Sequence, residues 1–276
     1  MCTNGNGSGA GIFLLLLCIL TGGCARNNLT EKRDDSFLPY EQATVGRVPL
    51  RGFLNARSAK LYRADELIVT PSGTNYGSVN LTGRSFHLGL ATAVDHRGYF
   101  LTASHCLAKG PFKLLFFYEG QVVAATVRVV WRGDVSKGQP DLALLDAALP
   151  LEHVFEWTPD FTNGDDIVTL GLNVLGPHRV KNEALAGKIV GVTDGSEAGM
   201  PHYLSIAVAA PFLREDNGGP LAAPDGRLIG IDVNSGTLVQ GNNSGPVIGT
   251  AQRPDLDWLK QLIEQDVAKQ SGAKTR

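Results

Sequence analysis

No basic stripe, phosphate-binding loop or dinucleotide fingerprint appears anywhere in the 276 residues. The net charge is −2, so nothing pulls the chain toward nucleic acid, and nucleic acid is removed from the expected partners. The histidines at His87, His96, His153, His178 and His202 have no metal-ligand spacing, and no calcium loop is present. No metal and no other cofactor is expected. No apolar run approaches the roughly 20 residues that a membrane-crossing helix needs. Cysteine is scarce, with only Cys2, Cys18, Cys24 and Cys106. Charge is missing altogether from the first 23 residues.

What is present points to a globular protein. Hydrophobic residues make up 43% and charged residues 19%, too apolar a balance for a disordered chain. The 33 glycines and 14 prolines punctuate the backbone often, which favours many short strands joined by tight turns. The length suffices for one large domain or two small ones, each with its own core.

The uncharged start contains the apolar run Ile12 to Leu20, the length of a signal-peptide core, so residues 1–23 read as a secretory signal. The run ends in Leu20-Thr21-Gly22-Gly23-Cys24, which resembles the bacterial lipobox. That resemblance implies a lipid on Cys24, a membrane contact through that lipid, and a place in the bacterial envelope. Ala25, where an Asp tends to retain lipoproteins in the inner membrane, points to the periplasmic face of the outer membrane. Cleavage and lipidation leave Cys106 alone, so no disulfide is expected within the domain. Residues 24–60 start polar and irregular and read as a flexible tether.

From Leu61 onward the text becomes strand-like. Short β-branched or aromatic runs, such as Phe112 to Tyr118, Val122 to Trp131 and Tyr203 to Ala210, alternate with Gly, Asp, Asn and Pro. Asp95-His96-Arg97-Gly98 and Pro224-Asp225-Gly226-Arg227 are tight-turn signals. The pattern predicts an all-β fold, a sandwich or barrel, with strands divided between 61–150 and 151–250. Residues 251–276 differ. Leu256, Leu259, Leu262, Ile263 and Val267 share one helical face, behind Pro254 and Asp255 as start signals, so a packed amphipathic helix is expected.

Three segments carry chemistry. They are Leu101-Thr102-Ala103-Ser104-His105-Cys106, then Asp141-Leu142-Ala143-Leu144-Leu145, then Glu215-Asp216-Asn217-Gly218-Gly219-Pro220-Leu221 with Ile229-Gly230-Ile231 after it. In type and order they resemble the chymotrypsin/trypsin family of serine proteases, where the segments read Leu-Thr-Ala-Ala-His-Cys, Asp-(Ile/Leu)-Ala-Leu-Leu and Gly-Asp-Ser-Gly-Gly-Pro-Leu. The resemblance spans about residues 75 to 250. It implies two six-stranded β-barrels, His105 as general base, Asp141 as the acid that orients it, and a site between the barrels.

A serine hydroxyl attacks only when an imidazole takes its proton and a carboxylate holds that imidazole. Here Asn217 stands at the nucleophile position. An amide nitrogen shares its lone pair with the carbonyl and is not a useful nucleophile. Glu215 replaces the glycine of the oxyanion loop, formed by Glu215, Asp216 and Asn217, and restricts its backbone. The expected function is a peptidase homologue without cleavage activity that binds peptide or protein in the inter-barrel cleft. The alternatives are an active serine endopeptidase, weak or using Ser244 as nucleophile, and a purely structural envelope protein. Ser104 is expected to face away from the base, Cys106 to be a buried thiol, and Pro211 to sit in the specificity pocket without charge preference.

Overall fold

The computed structural model describes residues 43–65, 67–71, 79–82, 85–107, 109–174, 180–195, 199–210, 216–237 and 248–273. The signal segment, Cys24, His178, Pro211, Glu215 and Ser244 lie outside the described residues.

A small hairpin, β1 (Thr44–Val45) and β2 (Val48–Pro49), leads into a one-to-two-turn helix, α1 (Leu50–Ala56). The strand β3 (Ser58–Ala64) follows. A side hairpin, β4 (Ile68–Pro71) and β5 (Val79–Thr82), precedes β6 (Ser85–Asp95) and β7 (Tyr99–Ala103). Then come β8 (Phe112–Tyr118), β9 (Gln121–Arg132) and β10 (Leu142–Asp146). The second half holds β11 (Asp166–Val174), β12 (Val180–Asp194), β13 (Tyr203–Ala209), β14 (Pro220–Ala222), β15 (Leu228–Thr237) and β16 (Ile248–Pro254). The chain ends in α2 (Leu256–Ala273).

Two closed barrels result, both antiparallel. One runs β10-β7-β6-β3-β8-β9, the other β11-β12-β13-β16-β15-β14. Closure leaves neither sheet with a free edge. The all-β, two-barrel expectation with a terminal helix holds. All residues of β7 and β10 are buried, which explains why these two segments read as near-continuous apolar runs and not as alternating strands.

Residues 43–60 differ from the tether expected there. Leu50 and Leu54 are fully buried, and Phe53 meets Phe155 edge-on at 6.0 Å. The Arg57 guanidinium covers the Phe53 ring at 3.6 Å and donates to the Val154 carbonyl at 2.9 Å. These apolar contacts fold the segment onto the barrels, so an unstructured tether can extend no further than about residue 42. The first barrel therefore begins at Ser58, and the second continues through Pro254.

The terminal helix starts where Asp255 Oδ1 accepts the Trp258 N–H at 2.7 Å, an N-cap, while Arg253 and Pro254 close the last strand. It packs on the first barrel. Leu259 and Ile263 are buried, and Trp258 meets Trp131 edge-on at 4.8 Å. Asp266 accepts from the Tyr99 hydroxyl at 2.9 Å and from Arg128, which also bonds Asp146 at 2.7 Å. Arg128 holds the Asp266 pKa down at about 2. Among the described residues, no helix is long and apolar enough to cross a membrane.

Candidate active site

The site begins with a strand pairing. Ala103 of β7 lies opposite Leu142 of β10, so the residues just past each strand end meet. Ser104–Cys106 forms a single 3-10 turn there, and Asp141 sits against it. The Ser104 N–H donates to the Asp141 carbonyl at 3.1 Å. Asp141 Oδ1 accepts the His105 backbone N–H at 2.9 Å and the Ser104 hydroxyl at 2.7 Å. Its Oδ2 lies 2.7 Å from His105 Nδ1. The carboxylate is thus held by two donors at Oδ1 while Oδ2 engages the ring. The sequence leads one to expect Ser104 to face away from the base. Its hydroxyl does avoid the ring but is bound to the acid, because the tight turn brings Oγ back under Asp141.

The second barrel supplies the other half. Gly218 N–H donates to the Asp232 carbonyl at 2.6 Å, and Asp232 N–H donates to the Gly219 carbonyl at 2.9 Å, fixing the loop to β15. Two bonds then cross between barrels. Leu90 N–H donates to the Asn217 carbonyl at 2.8 Å, and the Thr92 hydroxyl donates to the Gly218 carbonyl at 3.0 Å. Gly218 has φ 88°, and a Cβ there would strike the Leu90 carbonyl and the Thr102 hydroxyl. Only glycine fits both the backbone and the space. The result places Asn217 Nδ2 2.9 Å from His105 Nε2. Asn217 is 3% exposed, and its Oδ1 has no hydrogen-bond partner.

Electrostatics follow from these contacts. The Asp141 bond raises the His105 pKa to about 10, with the Cys106 contact acting the same way and burial opposing. Burial works to raise the Asp141 pKa, but bonds from His105 and Ser104 outweigh it and hold the carboxyl below its ordinary value. Cys106 is a free, buried thiol, with Sγ 3.7 Å from His105 Nε2. Asp216 and Asp232 are both fully buried in this loop region. Burial, then the neighbouring Asp216, pushes the Asp232 pKa well above the ordinary carboxylate range. The shift extends the protonated form of Asp232 to higher pH than for an ordinary carboxyl, and its Oδ2 has no hydrogen-bond partner among the described residues.

Sequence reading brings His105, Asp141, Asp216 and Asn217 to one place, whereas Glu215 and Ser244 lie outside the described residues. It misses Ser104 as partner of Asp141, and Asp232. The Asp in Ile-Asp-Val, an acid inside an apolar strand, is the signal that identifies the second. Among the described residues no three His, Cys, Asp or Glu side chains group to hold a metal ion.

In fold, the chain is similar to the HtrA-type protease AlgW with a decapeptide, at 20% identity and TM-score 0.54, covering 78% of this chain and 66% of that one. The chain thus spans just under two thirds of that protein's length. It is also similar to an alanine mutant, in the inactive form, of Rv3671c from M. tuberculosis H37Rv, at 17% identity and TM-score 0.52, covering 82% of this chain and 94% of that one. No curated protein sequence matches significantly. The trypsin-like peptidase domain matches residues 89–231, more than half of the sequence and both barrels' share of the site. With the two barrels closed and the His–Asp pair set at their junction, the chain belongs to the trypsin-like peptidase domain family.

Proposed function

We propose that this protein is a trypsin-like peptidase homologue that does not cleave peptide bonds and binds a peptide or protein at the barrel junction. The observation that carries this reading is the 2.9 Å contact from Asn217 Nδ2 to His105 Nε2. An amide holds the ring nitrogen that a nucleophilic hydroxyl would address, and it cannot attack a carbonyl. No hydroxyl among the described residues hydrogen-bonds the His105 ring. The AlgW structure contains a decapeptide, which supports peptide as the class of ligand. We further propose that the mature chain starts at a lipidated Cys24 and stands on the bacterial envelope, on the periplasmic face of the outer membrane.

The test is a fluorophosphonate serine-hydrolase probe applied to the mature chain. The wild type stays unlabelled. Labelling of the wild type that is abolished by His105→Ala would show an active peptidase, and mapping the modified residue would tell whether Ser244 is its nucleophile.

A further inference from the structure

The β3–β6 pairing sets Ser58 opposite Thr92, Lys60 opposite Leu90 and Tyr62 opposite His87. Paired residues of an antiparallel ladder share a face. Ala59 and Leu61 point into the first barrel and are buried there. The opposite face looks to the second barrel. Thr92 bonds Gly218 across the junction, and Leu90 packs beside Gly219. Lys60 therefore lies on the face that borders the Asn217 loop, one strand spacing (about 4.8 Å) from Leu90.

This face carries polar groups unmatched among the described residues. Lys60 is largely buried, which depresses its pKa, and no carboxylate among the described residues pairs with it. His87 Nε2 is buried without a hydrogen-bond partner. The Tyr62 ring meets the His87 ring edge-on at 5.2 Å, and burial raises the pKa of its hydroxyl. Burial and the Lys60 charge drive the His87 pKa down to about 4, against a backbone hydrogen bond at Gly89. A largely buried ammonium with no anion among the described residues is costly unless an anion arrives.

We infer that Lys60, Tyr62 and His87 form a carboxylate-binding subsite beside the Asn217 loop. Lys60 and Tyr62, which remain partly accessible, supply the first two donors, and His87 lies behind them. The subsite takes an acidic group of the bound peptide, either its C-terminal carboxylate or an Asp or Glu side chain. This deepens the peptide-binding reading and rests on it for the identity of the ligand.

Acetate tests the subsite without any peptide. Titrated into the mature chain, it should give a saturable shift of the His87 ring signals in the NMR spectrum. The shift should vanish in Lys60→Met, which keeps the apolar stem, and weaken in Tyr62→Phe, which removes only the hydroxyl. Circular dichroism of both variants establishes that they fold. A neutral hexapeptide amide, the same peptide with a free C-terminus, and the amide carrying one internal Glu are then compared by calorimetry. An acidic form should bind about tenfold tighter than the neutral amide, and Lys60→Met should erase that difference. Which acidic form gains names the source of the carboxylate. If acetate leaves His87 unmoved, or if acid and amide bind alike, the subsite is wrong although peptide binding stands. If acetate titrates His87 but no peptide binds, the subsite stands and the peptide reading falls.

Discussion

Asn217 Nδ2 and Asp141 Oδ2 hold opposite nitrogens of His105, at 2.9 and 2.7 Å. The ring is clamped from both barrels at once. An amide suits this place whatever the ring's charge. Its N–H donates to a neutral imidazole, and its oxygen, turned inward, accepts from an imidazolium. A serine hydroxyl has the same double capacity, so an Asn at this place keeps the hydrogen bond that a Ser would make.

Asn217→Ser is therefore expected to restore labelling by a fluorophosphonate probe. Losing such a serine costs about a million-fold in rate. On the proposed reading Glu215 stands where the family has glycine, and a lost oxyanion donor costs about 10²–10³. The gain in peptidase rate over wild type should then be about 10³–10⁴, and Asn217→Ser with His105→Ala should lose it. An unlabelled Asn217→Ser protein that is folded would show that the decay extends beyond the nucleophile.

His105 should titrate near 10 in the folded protein, since the Asp141 bond favours its charged form. Its folded pKa lies above the ordinary 6.5. Its stabilising contribution is thus complete below about pH 6.5 and is lost as pH rises toward 10. Asp141→Asn should bring the ring pKa down toward 6.5 and flatten that loss of stability. Ring-proton NMR and thermal melts across pH 6 to 10 read both effects, and unchanged curves would show that the bond does not set the charge.

Ser104→Ala removes one of the two donors to Asp141 Oδ1. A hydrogen bond to a charged group contributes about 1.5–3 kcal/mol. The variant should melt at a lower temperature at neutral pH and raise the Asp141 pKa. In the Asn217→Ser background it should lower kcat more than it raises KM. Equal kinetics with and without Ser104 would reduce it to a packing residue.

Burial raises the Asp232 pKa in the fold above its value in the unfolded chain. Its folded pKa is raised, so the folded state holds an extra proton above the ordinary 3.8, and stability falls as pH rises through that window. Asp232→Asn removes the proton requirement. Relative to the variant, wild type should lose up to about 1.4 kcal/mol per pH unit as pH rises above the ordinary 3.8, and denaturant melts across that rise read the loss. Parallel stability curves would mean Asp232 is ionised in place.

The parts legible in the sequence are those written locally. His105, Asp141 and Asn217 each stand in a short run with its own rhythm, and glycine and proline mark the turns between strands. The N-terminal fold was hidden because α1 is only seven residues, contains Gly52 and has no side-chain cap. Its stability comes from Leu50, Leu54 and Phe53 meeting residues far away in the chain. The Ser104–Asp141 bond was hidden for a related reason: 37 positions separate the partners, and only the turn geometry brings the hydroxyl under the acid. Lys60 looks like any surface lysine until strand register places it against Leu90.

The docking of α2 has a bearing on how the molecule is made. Tyr99 and Arg128 belong to the barrel that leaves the ribosome first, yet their partner Asp266 lies in the last helix. Until that helix emerges, the finished half carries an unbonded hydroxyl and an apolar patch around Trp131. The first barrel's bonds to Asp266 therefore form only once α2 has been made.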